Sequence, residues 1–350
     1  MSDVILTILA LIVLLGTLVF FHELGHFSIA KLLRIRVEEF AFGFGPKWIR
    51  LFKRGDTEYT IHPVPLGGFV KLAGMEPEEE VPDGFNSKPV GYRVLTYLAG
   101  PVMSFVLAYL IFSVMGFTVG LPITGEALNR VELVERRSIA EKAGLRTGDV
   151  IVAINSKRID SGEEMISTIH GSMNKPLDIV LKRDGKFVTI HATPEPRDLD
   201  GKTVGVLGFM ATPKLQRVGL IDSVKYGSRT TTFFIAGILH VLVSSELKEA
   251  VGGPLAIVDA TRIGVKRGAN GFLQLMAVLS LSLGIINLLP IPILDGGQML
   301  LLIVERIKGR RLSPHTLEVA QRIGLTVIAI IFLMIMYLDL QRVYTRQFFR

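Results

Sequence analysis

The sequence predicts an α-helical polytopic membrane protein with four transmembrane helices, a β-rich loop and one inserted α+β domain. Three observations carry that prediction. Hydrophobic residues make up 49% of the 350, and the mean hydropathy is +0.45, high for a soluble chain. Four apolar runs are long enough to cross a bilayer. The charged residues, 20% of the total, are segregated into the stretches between those runs.

The net charge of +7 and the pI near 9.5 do not point to nucleic acid. Much of the excess Lys and Arg sits in short stretches beside apolar spans, where basic residues hold loops on the cytoplasmic side. Membrane lipid is therefore the expected partner, and no nucleic acid is. Cys is absent, so no disulfide forms, and a metal site must use His, Asp or Glu.

Residues 1–35 are expected to hold the first transmembrane helix, apolar from Val4 to Phe21 and continuing through His22 and His26 to Leu33. Its Met-Ser-Asp start lacks the basic region of a signal peptide, so it reads as retained. Lys31, Arg34, Arg36, Lys47, Arg50, Lys53 and Arg54 follow it, placing its C-terminal end in the cytoplasm. Residues 36–91 form a cytoplasmic-side β-loop with strands expected at VEEFAFG, KWIRLF, EYTIHPV and GGFVKL, read as a hairpin sheet; His62 reads as structural. The acidic run Glu76 to Glu80 reads as a solvated loop. Residues 92–120 return the chain to the outside.

Residues 125–215 alternate short strands (VELVE, DVIVAIN, LDIVLKR, KFVTIHA) with a helix starting near Gly162. Residues 216–270 read as linker helices on the membrane surface, with Thr230–Val243 too short for a span and a charged patch at Glu246, Lys248 and Glu249. Residues 271–303 form the third span with the sequence LDGG. Residues 304–350 hold a basic loop (Arg306, Lys308, Arg310, Arg311) and a fourth span from about Ile323 to Leu338. The tail arginines Arg342, Arg346 and Arg350 would then lie outside, a mild exception to the charge rule.

The chemistry begins at His22-Glu23-Leu24-Gly25-His26. Two His four residues apart project from one face of a helix and can chelate one Zn²⁺, with Glu23 beside them to deprotonate water. As a bare pattern, HExxH arises in on the order of one in a hundred chains of this length. Its setting sharpens it, because a charged group within an apolar span costs about 2–3 kcal/mol and usually marks a polar functional interior. The bland alternative is a His pair hydrogen-bonded to neighbouring helices.

A third ligand is expected at Asp295, within Asn287-Leu-Leu-Pro-Ile-Pro-Ile-Leu-Asp-Gly-Gly297. Pro290 and Pro292 prevent a continuous helix, and Gly296 and Gly297 are expected to turn tightly beside the carboxylate. An Asp merely starting the following helix is the competing view. Depth favours the ligand. From Val4, His22 lies roughly 27 Å along the first helix, and from Phe272, Asn287 lies roughly 23 Å along the third. The two motifs share a level near the cytoplasmic face only if the chain crosses four times, so Thr230–Val243 must not be a fifth span.

HELGH paired with NLLPIPILDGG resembles the signature of the site-2 proteases, intramembrane zinc metalloproteases. AGPVMSF (Ala99 to Phe105) resembles that family's glycine-proline motif, with Ser104 where Asn is frequent. The arrangement is similar to the bacterial RseP-like branch, the regulators of sigma-E. Ser138 to Asn155 resembles the helix-turn-strand core of bacterial PDZ domains; relatives with two exist, and this chain has room for one. The resemblance implies zinc on His22, His26 and Asp295, Glu23 as general base, and Asn287, Pro290 and Pro292 holding substrate. It also implies a membrane-associated β-hairpin loop, a PDZ domain outside a bacterial inner membrane taking a peptide end or filtering by size, and single-span substrates such as anti-sigma factors or remnant signal peptides. The competing functions are a metal transporter, a PDZ scaffold and an anchored protease cutting soluble loops. Transport would favour further carboxylates or His in the second and fourth spans, where none is expected.

Overall fold

The computed structural model describes residues 2–75, 81–135, 137–199, 201–244 and 252–348. The expected acidic loop Glu76 to Glu80, the charged patch at Glu246, Lys248 and Glu249, and Arg350 lie outside the described residues. The chain divides into two compact units, Met1–Phe117 with Leu220–Arg350, and Thr118–Gly219.

In the first unit, α1 (Ser2–Leu32) and α2 (Val90–Thr118) are long, apolar helices. They pack with α7 (Gly268–Asn287) around Leu14, Leu18, Leu107, Phe112, Ala277 and Leu281. Small residues set the spacing: a Cβ on Gly25 would lie 2.8 Å from Met103 Cβ, and one on Gly284 would lie 3.1 Å from the Pro101 carbonyl oxygen. Away from this contact α1 exposes Val4, Ile5, Ile8 and Leu9, each more than half accessible, a surface for hydrocarbon rather than water. Four helices are long and apolar enough to cross a membrane among the described residues: α1, α2, α7 and the first 29 residues (Pro314–Arg342) of α9 (Pro314–Phe348).

The loop after α1 differs from the expected hairpin sheet. It is a four-stranded mixed sheet of β1 (Val37–Phe44), β2 (Ile49–Arg54), β3 (Thr57–Ile61) and β4 (Val64–Leu72), in the order β2-β3-β1-β4. Only β2 and β3 form a tight hairpin, turning at Gly55 with φ 61°; β1 runs parallel to β3 and antiparallel to β4. The fully exposed β2 takes the outer edge, while β1, the more buried strand, pairs on both sides. Phe40 of β1 meets Phe20 and Phe27 of α1 edge to face. Lys31 at the end of α1 donates to Thr57 Oγ1, which donates to the Val37 carbonyl. His62 is buried and donates from Nδ1 to the Gly45 carbonyl at 2.7 Å, a structural role. Beside it, burial alone would raise the Glu39 carboxyl; hydrogen bonds from Thr60 and His62, with Lys47 nearby, leave it below its usual range.

The second unit carries the sheet β12-β5-β6-β8-β9: β5 (Leu121–Val134), β6 (Val150–Ile154), β8 (Leu177–Arg183), β9 (Lys186–Ala192) and β12 (Phe209–Gln216). The short β7 (Lys157–Arg158) pairs with β6, and β10 (Glu195–Leu199) pairs with β11 (Lys202–Val206). Helix α3 (Ile139–Lys142) is capped by Ser138, and α4 (Gly162–His170) by Ser161. Ile151, Met165, Ile179 and Leu181 form the core. Strand β5 starts ten residues before the expected VELVE, and β10 to β12 are additional to the expected strands. Fully exposed β10 and Pro213 in β12 hide the usual alternation, and Pro213 falls where the β12–β5 register slips.

The expected short helix at Thr230–Val243 is the second half of α5 (Leu220–Val243), which is not among the four span-length helices. It packs on the spanning helices: Phe234 stacks flat on Phe112 at 5.5 Å, and Ile235 and Ile238 join the same core. Next, α6 (Pro254–Lys266) has its N-terminal amides held from α9. Asp339, 2% exposed, accepts from the backbone N–H of Gly253, Leu255 and Ala256 at 3.1–3.2 Å. The fourth helix therefore does carry a buried carboxylate, contrary to expectation, with His315 and Glu318 nearer its start. Asp339 acts as a helix cap supplied by a neighbour.

The third span and LDGG are not one helix either. α7 stops at Asn287, residues 288–294 are non-helical, and α8 (Asp295–Lys308) begins afresh. Neither Pro290 nor Pro292 has an N–H to continue the ladder.

Candidate metal centre

One turn apart on α1, the His22 and His26 rings sit 5.0 Å between centroids with their Nε2 atoms 3.3 Å apart. Asp295 Oδ2 lies 3.1 Å from His22 Nε2 and 3.5 Å from His26 Nε2. Among the described residues this is the one group of three or more His, Asp or Glu that could hold a metal ion. The spacing is a fit test for zinc. Ligands about 2.0–2.1 Å from a tetrahedral ion stand about 3.3 Å from one another. The three observed separations bracket that edge.

Helix α2 orients both rings. His26 Nδ1–H donates to the Thr96 carbonyl at 2.8 Å, which fixes the tautomer and leaves Nε2 as the ligand atom. His22 Nδ1 meets Ser104 Oγ at 3.1 Å, and Ser104 Oγ reaches the Gly100 carbonyl at 3.3 Å. The Ser104 carbonyl in turn accepts from Ser280 of α7 at 2.7 Å. Between these contacts Gly100 clears the space, since a Cβ there would lie 2.6 Å from His26 Cε1 and 2.8 Å from His22 Nε2.

Asp295 is the first residue of α8, where the helix dipole favours a carboxylate. Its side chain faces the imidazoles, with Oδ2 within hydrogen-bond distance of His22 Nε2. Gly296 and Gly297, expected to form a tight turn beside the carboxylate, are instead helical and allow close approach. A Cβ on Gly296 would lie 2.6 Å from the Leu289 carbonyl oxygen, and one on Gly297 2.5 Å from Pro292 N. The non-helical segment thus folds back against the start of α8.

Glu23 sits on α1 between the two His and is half-buried. Asn287 is half-buried at the end of α7, and its side-chain amide makes no hydrogen bond among the described residues. Pro290 is exposed, while the half-buried Pro292 accepts from Gln298 Nε2 through its carbonyl. The Thr96 carbonyl carries no mark in the sequence, because a backbone group fills its role. Gly100 lies within AGPVMSF, but the clearance it leaves for the two imidazoles is visible only in the structure. Ser104 stands out in the sequence only for departing from Asn, and its hydroxyl on His22 is its observed contact. A cavity of about 720 Å³ opens beside Asp295, bounded by Tyr97 and Arg93 of α2, by α8 and by the start of α9.

The family described as Peptidase family M50 matches residues 10–331. The regulator of sigma-W protease RasP of Bacillus subtilis is 32% identical, the match covering 97% of this chain and 99% of RasP. Zinc metalloprotease RasP of Bacillus licheniformis matches at 32% with the same coverage. Among solved structures, the PDZ domain of the SdrC-like protein from Listeria monocytogenes matches 26% of this chain and 93% of its own at 22% identity. Its TM-score of 0.21 is too low to assign a fold. The match over most of the chain, together with the two RasP relatives, places this protein in peptidase family M50, the site-2 proteases, as a zinc metalloprotease.

Proposed function

We propose that this chain cuts single-span membrane proteins within the bilayer, with zinc held by His22, His26 and Asp295 and Glu23 as general base. One observation carries the reading: residues 273 apart in sequence, on two separate helices, bring their ligand atoms to 3.1 Å. Zinc held there supplies a lowered pKa for water and polarisation of the scissile carbonyl. Glu23 takes the proton from the attacking water and delivers it to the leaving amine. Asn287, with its side-chain amide uncommitted, and the Pro290–Pro292 segment hold the substrate backbone beside the centre.

A substrate must be extended to be cut, because a helix's carbonyls are already occupied. β4 suits this need, because it ends the sheet. Its outer edge takes the extended segment by strand pairing. The Lys and Arg after α1 and around α8 support a metal centre toward the cytoplasmic face of a bacterial inner membrane, and an extracytoplasmic location for the segment Thr118–Gly219. That unit reads as a PDZ domain that binds a peptide end or excludes bulky substrates. One relative, named as a regulator of sigma-W, supports anti-sigma factors as substrates, with remnant signal peptides as a second group.

Transport is the competing function. It is disfavoured because Asp339, the buried carboxylate of the fourth span, is committed to three backbone amides. The test reconstitutes the purified chain in vesicles with a labelled single-span substrate. Cleavage inside the span, lost on zinc chelation and restored by zinc, is the expected result. Cleavage confined to aqueous loops, or insensitive to chelation, contradicts the reading.

A further inference from the structure

We propose that Arg93 and Glu305 are positioning residues of the metal centre, an ion pair that sets the register of α8 against α2 and thereby the place of Asp295. The proposal rests on reading His22, His26 and Asp295 as the zinc site. Two helices serve that site from different sides. α2 orients the imidazoles through Thr96, Gly100 and Ser104, whereas α8 contributes Asp295. The cavity of about 720 Å³ lies along both helices, lined by Tyr97 of α2 and by Gln298 and Leu302 of α8. Dense side-chain packing therefore does not fix their separation at this level.

Arg93 and Glu305 bridge it. Arg93 Nη2 stands 3.0 Å from Glu305 Oε2, and both side chains are more than nine-tenths buried. The pair matters to Asp295 because α8 is mechanically separate from α7. The non-helical residues 288–294, with two prolines, transmit no helical register. α8 is a 14-residue rod with Asp295 at one end and Glu305 ten residues on, about 15 Å away. Pinning that far point sets the tilt and rotation of the rod, and metal ligands must sit within about 0.2 Å of their proper distances. Glu305 Oε1 also accepts from Leu312 N–H at 3.1 Å, fixing the turn that follows Gly309. Arg311 adds a second tie, donating to the Asn86 carbonyl at 2.7 Å.

A buried ion pair is a poor device for stability alone, since apolar residues of similar size often replace one without loss. This pair is also incompletely bonded: Arg93 Nε and Glu305 Oε2 have no hydrogen-bond partner. Its geometric consequence is specific, because it joins the helix that aims the imidazoles to the helix that brings the carboxylate.

The decisive variant is the full-length double substitution Arg93→Met/Glu305→Met, which removes both charges and leaves neither stranded. Zinc affinity is measured by competition with a chromogenic chelator, and folding by thermal unfolding in the same detergent. The expected result is an intact transition with zinc bound about 10- to 100-fold more weakly, the range for lost outer contacts. Glu305→Gln can still accept from Leu312 and is the second variant, with a loss of at least about tenfold expected. Arg93→Lys keeps the charge and returns affinity to within about threefold of the parent, a rescue that general loosening of the fold does not produce. Zinc affinity within about twofold of the parent in both the double variant and Glu305→Gln overturns the proposal. None of these readings needs cleavage. A parent chain that binds zinc and cuts nothing would fail the protease reading and leave this one to stand or fall separately.

Discussion

Glu23→Gln is expected to leave zinc in place and to lower cleavage by about 100- to 10,000-fold, the usual contribution of a general base. The substitution is isosteric, so the packing of α1 is expected to be unchanged. His22, His26 and Asp295 offer three ligand atoms close enough to hold one metal ion, so on this reading Glu23 is not needed to hold it. What disappears is the capacity to take a proton and return it to the leaving nitrogen. The comparison requires zinc content and single-span substrate cleavage on the same preparation. Loss of both together would make Glu23 a ligand or a structural residue. Full cleavage by the variant would remove it from the mechanism altogether.

Gly100→Ala should have an equally large effect by a different route. In an ordinary helix the change is favourable by about 1 kcal/mol, because alanine loses less backbone freedom than glycine. Here the new methyl would lie 2.6 Å from His26 Cε1 and 2.8 Å from His22 Nε2. Neither ring can step aside without giving up its orienting contact, Thr96 for His26 and Ser104 for His22. The expected outcome is a thermal transition at or above that of the parent, with zinc affinity reduced at least about 100-fold. Retained zinc in the alanine variant would show that the rings do not occupy the positions described. The pairing of a normal melt with an empty site separates this steric effect from general unfolding.

The parts legible in the sequence are those written in local patterns. Long apolar runs mark α1, α2, α7 and α9 because a span must satisfy every backbone group within itself. HELGH and LDGG are short motifs whose residue types are dictated by chemistry, so residue type and spacing suffice to group His22, His26 and Asp295.

Less was legible where the cause is non-local. The mixed order of the β1–β4 sheet depends on β1 pairing on both sides, which alternation within a strand does not encode. The first ten residues of α5 carry Asp222, Lys225 and Arg229, so they read as part of a surface linker helix. They continue into Thr230–Val243 as one helix, with the face bearing Ser223, Gly227 and Thr231 buried. Asp339 looks like the charged end of a span, and its use as a cap for α6 emerges only once the two helices are adjacent. Gly100 is the extreme case: its contribution is the absence of an atom. Around the metal centre the sequence names the ligands, while carbonyls and clearances supplied by other elements hold them.

The central claim is that His22, His26 and Asp295 share one zinc ion. X-ray absorption at the zinc edge, on the purified full chain and on Asp295→Ala, addresses it most directly. The account predicts one zinc per chain, with two imidazole nitrogens and a carboxylate oxygen at about 2.0–2.2 Å. In the variant, the carboxylate contribution or the metal itself is lost. A parent chain that binds no zinc, or a spectrum unchanged by removal of Asp295, contradicts it.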